Sequence, residues 1–67
     1  MTPDLLRQFG EALFGERWQT PLARDLGVAE RTMRYWVAGK FAIPEGAQDD
    51  LRRLVRERIA ELRRLAA

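Results

Sequence analysis

The sequence predicts one small all-α domain of four helices, the last of them long. Apolar residues recur at helical spacing along the chain. Proline stands at the expected start of three of the helical segments, and glycine follows the expected end of three. With 67 residues the chain makes one domain at most, near the lower limit for a single hydrophobic core.

The first two helices are expected at about 3–14 and 21–26. Thr2 is a suitable N-cap for the first, and Gly15 ends it. Its apolar residues at helical spacing are Leu5, Leu6, Phe9, Ala12 and Leu13. Thr20 and Pro21 repeat the same opening signal for the second helix, and Gly27 ends it.

The third helix is expected at about 29–38, closed by Gly39, and the fourth at about 44–65. Between them, Phe41 and Ile43 are expected to cover the bottom of the core, although an exposed Phe41 also suits contact with a partner. Trp36 is expected on the core side, and Trp18 as a packing anchor between the first two helices.

The fourth helix is expected to extend beyond the domain, because its 22 or so residues span about 33 Å and the core is nearer 20 Å across. We predict that the overhanging end pairs with its copy in a two-fold dimer. The interface residues of this prediction are Ile59, Leu62 and Leu65. The alternative is that the helix bends or frays after Arg58 and covers only its own domain.

Composition excludes several classes of function. The chain has neither cysteine nor histidine, which removes disulfides, most zinc sites and imidazole catalysis. No residues pair a nucleophile with a base, so we do not expect an enzyme. We also expect no metal and no cofactor. No small-molecule effector is expected either, because no ligand-sensing domain is recognisable. Because the sequence has no membrane-spanning apolar run and no signal-peptide pattern, a cytoplasmic location is expected.

Charge is distributed unevenly along the chain. Residues 31–44 carry three basic residues and no acid, and residues 51–67 carry six arginines against two glutamates. Eleven of the twelve basic residues are arginine, the side chain best suited to recognising phosphate and guanine. A GC-rich genome favours arginine codons as well, and it explains this preference about equally well.

The segment 22–36 has the spacing of two short helices crossing at a steep angle. Ala23 is small where the helices approach each other, Gly27 suits a turn with positive φ, and Val28 is an apolar residue that fills the corner. Met33 and Trp36 then face inward from the second helix. This is the spacing of a helix-turn-helix motif, at about 19–38.

The opposite face of the third helix is polar. It carries Arg31, Arg34, Tyr35 and Ala38, which suits insertion into the major groove of DNA. In an arbitrary amphipathic helix an ordinary solvated face is the better interpretation. Within this motif the DNA-binding interpretation is favoured. The arginines of the fourth helix are more readily explained as a solvated face.

This segment resembles the Cro and lambda-repressor-like helix-turn-helix family, closely over 19–40 and loosely over 5–55. The resemblance implies that four residues read bases, namely Glu30, Arg31, Arg34 and Tyr35. It implies a DNA-backbone contact by Gln19, and we add Thr20, Thr32 and Lys40 as candidate phosphate contacts. Glu30 either accepts a hydrogen bond from cytosine or repels phosphate unless it pairs with Arg34.

The chain departs from the family at Ala29, where many relatives have a serine or threonine cap. Without a side-chain cap the helix loses roughly 1 kcal/mol, so the turn has to rely on packing. Pro21 also shifts the start of the second helix.

The expected function is that of a sequence-specific regulator of transcription, a repressor bound as a dimer to an inverted repeat in double-stranded DNA. The resemblance points to small regulators of phages and mobile elements, such as autoregulatory and anti-CRISPR-associated ones. The alternative is a protein-interaction or assembly module with the same fold, such as an antitoxin or a phage accessory protein.

Overall fold

The computed structural model describes all residues, 1–67, and is entirely helical. It contains four helices and no strand: α1 (Pro3–Phe14), α2 (Gln19–Leu26), α3 (Glu30–Val37) and α4 (Glu45–Ala66). The predicted all-α class and the number of helices are confirmed. The helix boundaries agree with the sequence-based ones to within two residues.

Helix α1 begins and ends where its sequence signals indicate. The hydroxyl of Thr2 accepts a hydrogen bond from the backbone N–H of Leu5 at 3.1 Å, which satisfies one of the free donors of the first turn. Gly15 follows the helix with φ of 84°, a conformation that favours glycine. Thr2 and Gly15 thus set the two ends of α1 as predicted.

Helix α2 begins two residues earlier than predicted, and Thr20 is not its cap. The backbone N–H of Leu22 donates to the carbonyl of Trp18 at 3.0 Å, so Trp18 is the N-cap residue and Gln19 the first helical residue. Pro21 therefore lies third in the helix. There its missing N–H costs nothing, since first-turn donors have no partner within the helix.

Two glycines close α2 and α3 with the same backbone geometry. Gly27 has φ of 71°, and the next N–H, of Val28, donates back to the carbonyl of Ala23 at 2.9 Å. Gly39 has φ of 73°, and the N–H of Lys40 donates to the carbonyl of Tyr35 at 2.9 Å. Both are Schellman-type ends. The first turns the chain from α2 into α3, as predicted for Gly27.

The core lies among α1, α2 and α3, and α4 closes it by packing mainly on α2. Its eight buried residues are Leu6, Trp18, Leu22, Ala23, Met33, Trp36, Ile43 and Leu51. Trp18 packs directly on Gly10, where an added Cβ would lie only 2.1 Å from the indole ring. This close approach of α1 to the start of α2 requires glycine.

Helix α4 extends beyond the core, as predicted. Leu51 is fully buried, whereas every residue from Ile59 to the end of the chain is exposed. The molecule accordingly measures 42 Å along its long axis and 23 and 19 Å along the others. Arg58 fixes the helix just before this point, because it donates to the carbonyl of Leu13 at 2.9 Å and lies over the ring of Phe14.

None of the four helices combines the length and the apolar composition that crossing a bilayer requires.

Candidate nucleic-acid interface

Helix α3 has one fully buried face and one exposed polar face. Met33 and Trp36 are 0% and 4% exposed, and they hold the helix on the core. Arg31 and Arg34 are exposed, on the side of the helix away from those two residues. The helix is therefore anchored from below and offers two guanidinium groups to solvent.

These two guanidinium groups have no partner within the protein. All five ion pairs lie in α1 or α4, where Arg7, Arg52 and Arg53 meet neighbouring carboxylates. Arg31 and Arg34 take part in none of these pairs and in no side-chain hydrogen bond. Since they form no ion pair and no side-chain hydrogen bond, an incoming anion does not have to displace a carboxylate bound to them.

Glu30 is exposed at the first position of α3 and forms no ion pair with Arg34. Its carboxylate lies at the helix N-terminus, where the helix dipole favours negative charge. Ala29 precedes it in an extended conformation and supplies no side-chain hydrogen bond. The start of α3 is uncapped, as its sequence predicts.

Tyr35 is half-buried, although its position on α3 lies on the outward side. Phe41 packs against it edge to face, with ring centroids 5.3 Å apart and planes at 83°. The ammonium of Lys40 lies 4.9 Å from the centroid of the same tyrosine ring. Among the predicted base-reading residues, this side chain alone makes an aromatic or cation–π contact.

The predicted phosphate-contacting residues lie at the start of α2 and near both ends of α3. Gln19 and Thr20 are the first two residues of α2, half-buried and exposed respectively. Thr32 is half-buried in the first turn of α3, and Lys40 is exposed just beyond its end. The structure thus leaves Thr20 and Lys40 more accessible than Gln19 and Thr32.

The predicted dimer residues are exposed, as a site for a partner requires. Ile59, Leu62 and Leu65 are 42%, 56% and 66% exposed and follow one another along the overhanging end of α4.

A cleft of about 160 Å³ lies nearer the core, and no residue of α3 lines it. Its lining residues are Leu13, Phe14, Asp25, Leu54, Glu57, Arg58 and Glu61.

Besides the hydrogen bond from Arg58 to Leu13, two features of the structure were not predicted from the sequence. One is the contact of Gly10 with Trp18, which has no local signature in the chain. The other is the cluster of Tyr35, Lys40 and Phe41. Its signal is present in the sequence, because Gly39 after the helix predicts a Schellman end that folds the next residues back over the last turn.

Comparisons with protein-family models, curated proteins and solved structures found no match to this chain.

Proposed function

We propose that this chain is a helix-turn-helix protein of the Cro and lambda-repressor-like type that binds double-stranded DNA through α3. The observation that carries the proposal is the pair of exposed guanidinium groups of Arg31 and Arg34, which have no protein partner. They stand on a short helix whose opposite face is locked into the core by Met33 and Trp36.

The chemistry of these residues suits base recognition in the major groove, which is wide enough to admit an α-helix. Arginine donates two parallel hydrogen bonds to O6 and N7 of guanine, the commonest specific contact in that groove. Glu30 has the acceptor required by the amino group of cytosine, and the ring of Tyr35 offers an apolar edge to a thymine methyl group. Thr20 and Lys40 supply contacts to phosphate.

We propose further that the protein binds as a two-fold dimer. One such domain contacts few base pairs, and a second copy doubles the site and raises specificity. The exposed apolar residues Ile59, Leu62 and Leu65 supply a surface for this pairing. The DNA site is then an inverted repeat whose half-sites lie about one helical turn, or 34 Å, apart.

A dimer bound to a promoter in this way blocks access of RNA polymerase, and repression is the simplest regulatory outcome. Autoregulation follows if the protein binds its own promoter. This role rests on the resemblance to small phage and mobile-element regulators and on the proposed DNA contacts.

The proposal is tested by selecting bound duplexes from a random pool and measuring affinity for the enriched sequence. We expect an inverted repeat, with affinity that falls steeply as salt rises because cations leave the DNA on binding. If no sequence is enriched at moderate ionic strength, the proposed function is wrong.

The second candidate function is a protein-interaction module that does not contact DNA. The exposed apolar end of α4 favours it, because such a surface suits a protein partner as well as a second copy. This alternative predicts that replacing both Arg31 and Arg34 with alanine leaves every DNA interaction unchanged, and a mobility-shift assay distinguishes the two functions.

A further inference from the structure

The cluster of Tyr35, Lys40 and Phe41 is built by the backbone at the end of α3. Positive φ at Gly39 reverses the chain direction, and the N–H groups of Gly39 and Lys40 donate to the carbonyls of Trp36 and Tyr35. These bonds do not involve the side chain of Phe41. The turn therefore has its own support and does not depend on that ring.

Phe41 contributes little to the hydrophobic core. It is 56% exposed and lies outside both the buried cluster and the residues packed against it. Its aromatic partner is Tyr35, at a centroid distance and angle typical of edge-to-face pairs. The Phe41 ring therefore acts mainly on Tyr35, and its contact with that side chain is the feature from which a role can be argued.

The contact with Phe41 restricts Tyr35, which is the side chain proposed to contact DNA. Tyr35 has two rotatable side-chain bonds, and the Phe41 ring and the Lys40 ammonium that pack against its ring favour one orientation of it in the free protein. Ordering a side chain before binding removes an entropic cost that binding would otherwise carry. A restricted ring also meets only one position along the groove, so mismatched bases there are rejected more strongly.

We propose that Phe41 is a positioning residue that sets base preference at one end of each half-site by holding Tyr35 in place. The inference rests on the proposed function and deepens it. It assigns Phe41 no direct hydrogen bond to DNA, since its side chain carries no donor or acceptor. Its effect on DNA recognition passes through Tyr35.

The test compares base preference among variants, using the selected duplex and its single-base-pair substitutions. For Phe41→Ala we expect roughly a threefold to tenfold loss of preference at one base pair, the range of an aromatic pair, with the other positions unchanged. Phe41→Tyr keeps an aromatic ring at this position and is expected to retain the wild-type preference. Phe41→Leu keeps an apolar side chain without the ring and is expected to lose the preference as Phe41→Ala does.

A double-mutant comparison separates positioning from other roles. In a Tyr35→Ala background, adding Phe41→Ala is expected to change preference no further. An equal additional loss there, or unchanged preference in Phe41→Ala, overturns the inference while the wild type still selects a sequence. A wild type that selects no sequence overturns the proposed function, and this inference with it. Thermal melting of each variant confirms that it is folded.

Discussion

Replacing Gly10 with alanine is expected to destabilise the protein, although alanine favours helices. An added Cβ would lie 2.1 and 2.4 Å from two ring carbons of Trp18, far inside van der Waals contact. Trp18 is 4% exposed, so the ring has little room to move and α1 has to shift away from α2. Overpacking of this severity costs about 3 kcal/mol, and the gain in helix propensity offsets about 1 kcal/mol of it.

The expected net loss is about 2 kcal/mol, which lowers the melting temperature by roughly 8–16 °C for a domain of this size. Gly46→Ala is the matched control, because an added Cβ there meets nothing within 4 Å. That change is expected to raise stability by up to about 1 kcal/mol. Urea denaturation followed by circular dichroism measures both. A Gly10→Ala variant as stable as the wild type refutes the packing of Trp18 against α1.

Three further outcomes are expected. Arg58→Met removes the hydrogen bond to the carbonyl of Leu13 and is expected to cost about 1–2 kcal/mol. Arg56→Met, at an exposed position, is the control and is expected to change stability by less than about 0.5 kcal/mol. If the Arg58→Met and Arg56→Met variants unfold at the same urea concentration, the role of Arg58 is contradicted. Hydrogen bonds from Arg7 and then Gln8 lower the pKa of Asp4 below its usual value. The stability they supply is present near pH 7 and is lost as pH falls through the lowered pKa, so Asp4→Asn melts below the wild type near pH 7. The two converge once pH falls below the lowered pKa of Asp4, and a difference between their melting temperatures that stays constant with pH contradicts this cause. Leu62→Glu is expected to turn a micromolar dimer into a monomer in sedimentation, and a wild type that is monomeric both free and on DNA argues against the proposed pairing.

The helices were predictable from the sequence because their ends are set locally. Thr2, Gly15, Gly27 and Gly39 act on the neighbouring backbone through side-chain capping or positive φ, and the structure shows each of them where the sequence places it. The start of α2 was misplaced because Thr20 and Pro21 look like a cap and a first residue. The competing hydrogen bond from Leu22 to the carbonyl of Trp18 extends the helix by two residues, to Gln19.

Contacts between distant residues were not predictable. In the sequence, Arg58 interrupts the apolar face of the fourth helix. In the structure its guanidinium donates a hydrogen bond to the carbonyl of Leu13, 45 residues earlier. Gly10 lies inside a helix, and only the position of Trp18 in space explains it. At the candidate interface, helical periodicity was enough to place Arg31 and Arg34 outward. It could not show that the residues after Gly39 fold back over Tyr35, because periodicity ends where the helix ends.

The exposed face of α3 is tested most directly by the affinity of Arg34→Ala for the selected duplex and for a duplex with the contacted guanine replaced. We expect a loss of about 1–3 kcal/mol on the selected duplex, roughly fivefold to 150-fold, and a much smaller loss on the substituted one. Arg56→Ala, an exposed arginine of α4, is the control and is expected to weaken both duplexes slightly and equally. If Arg34→Ala behaves like this control, α3 does not read bases.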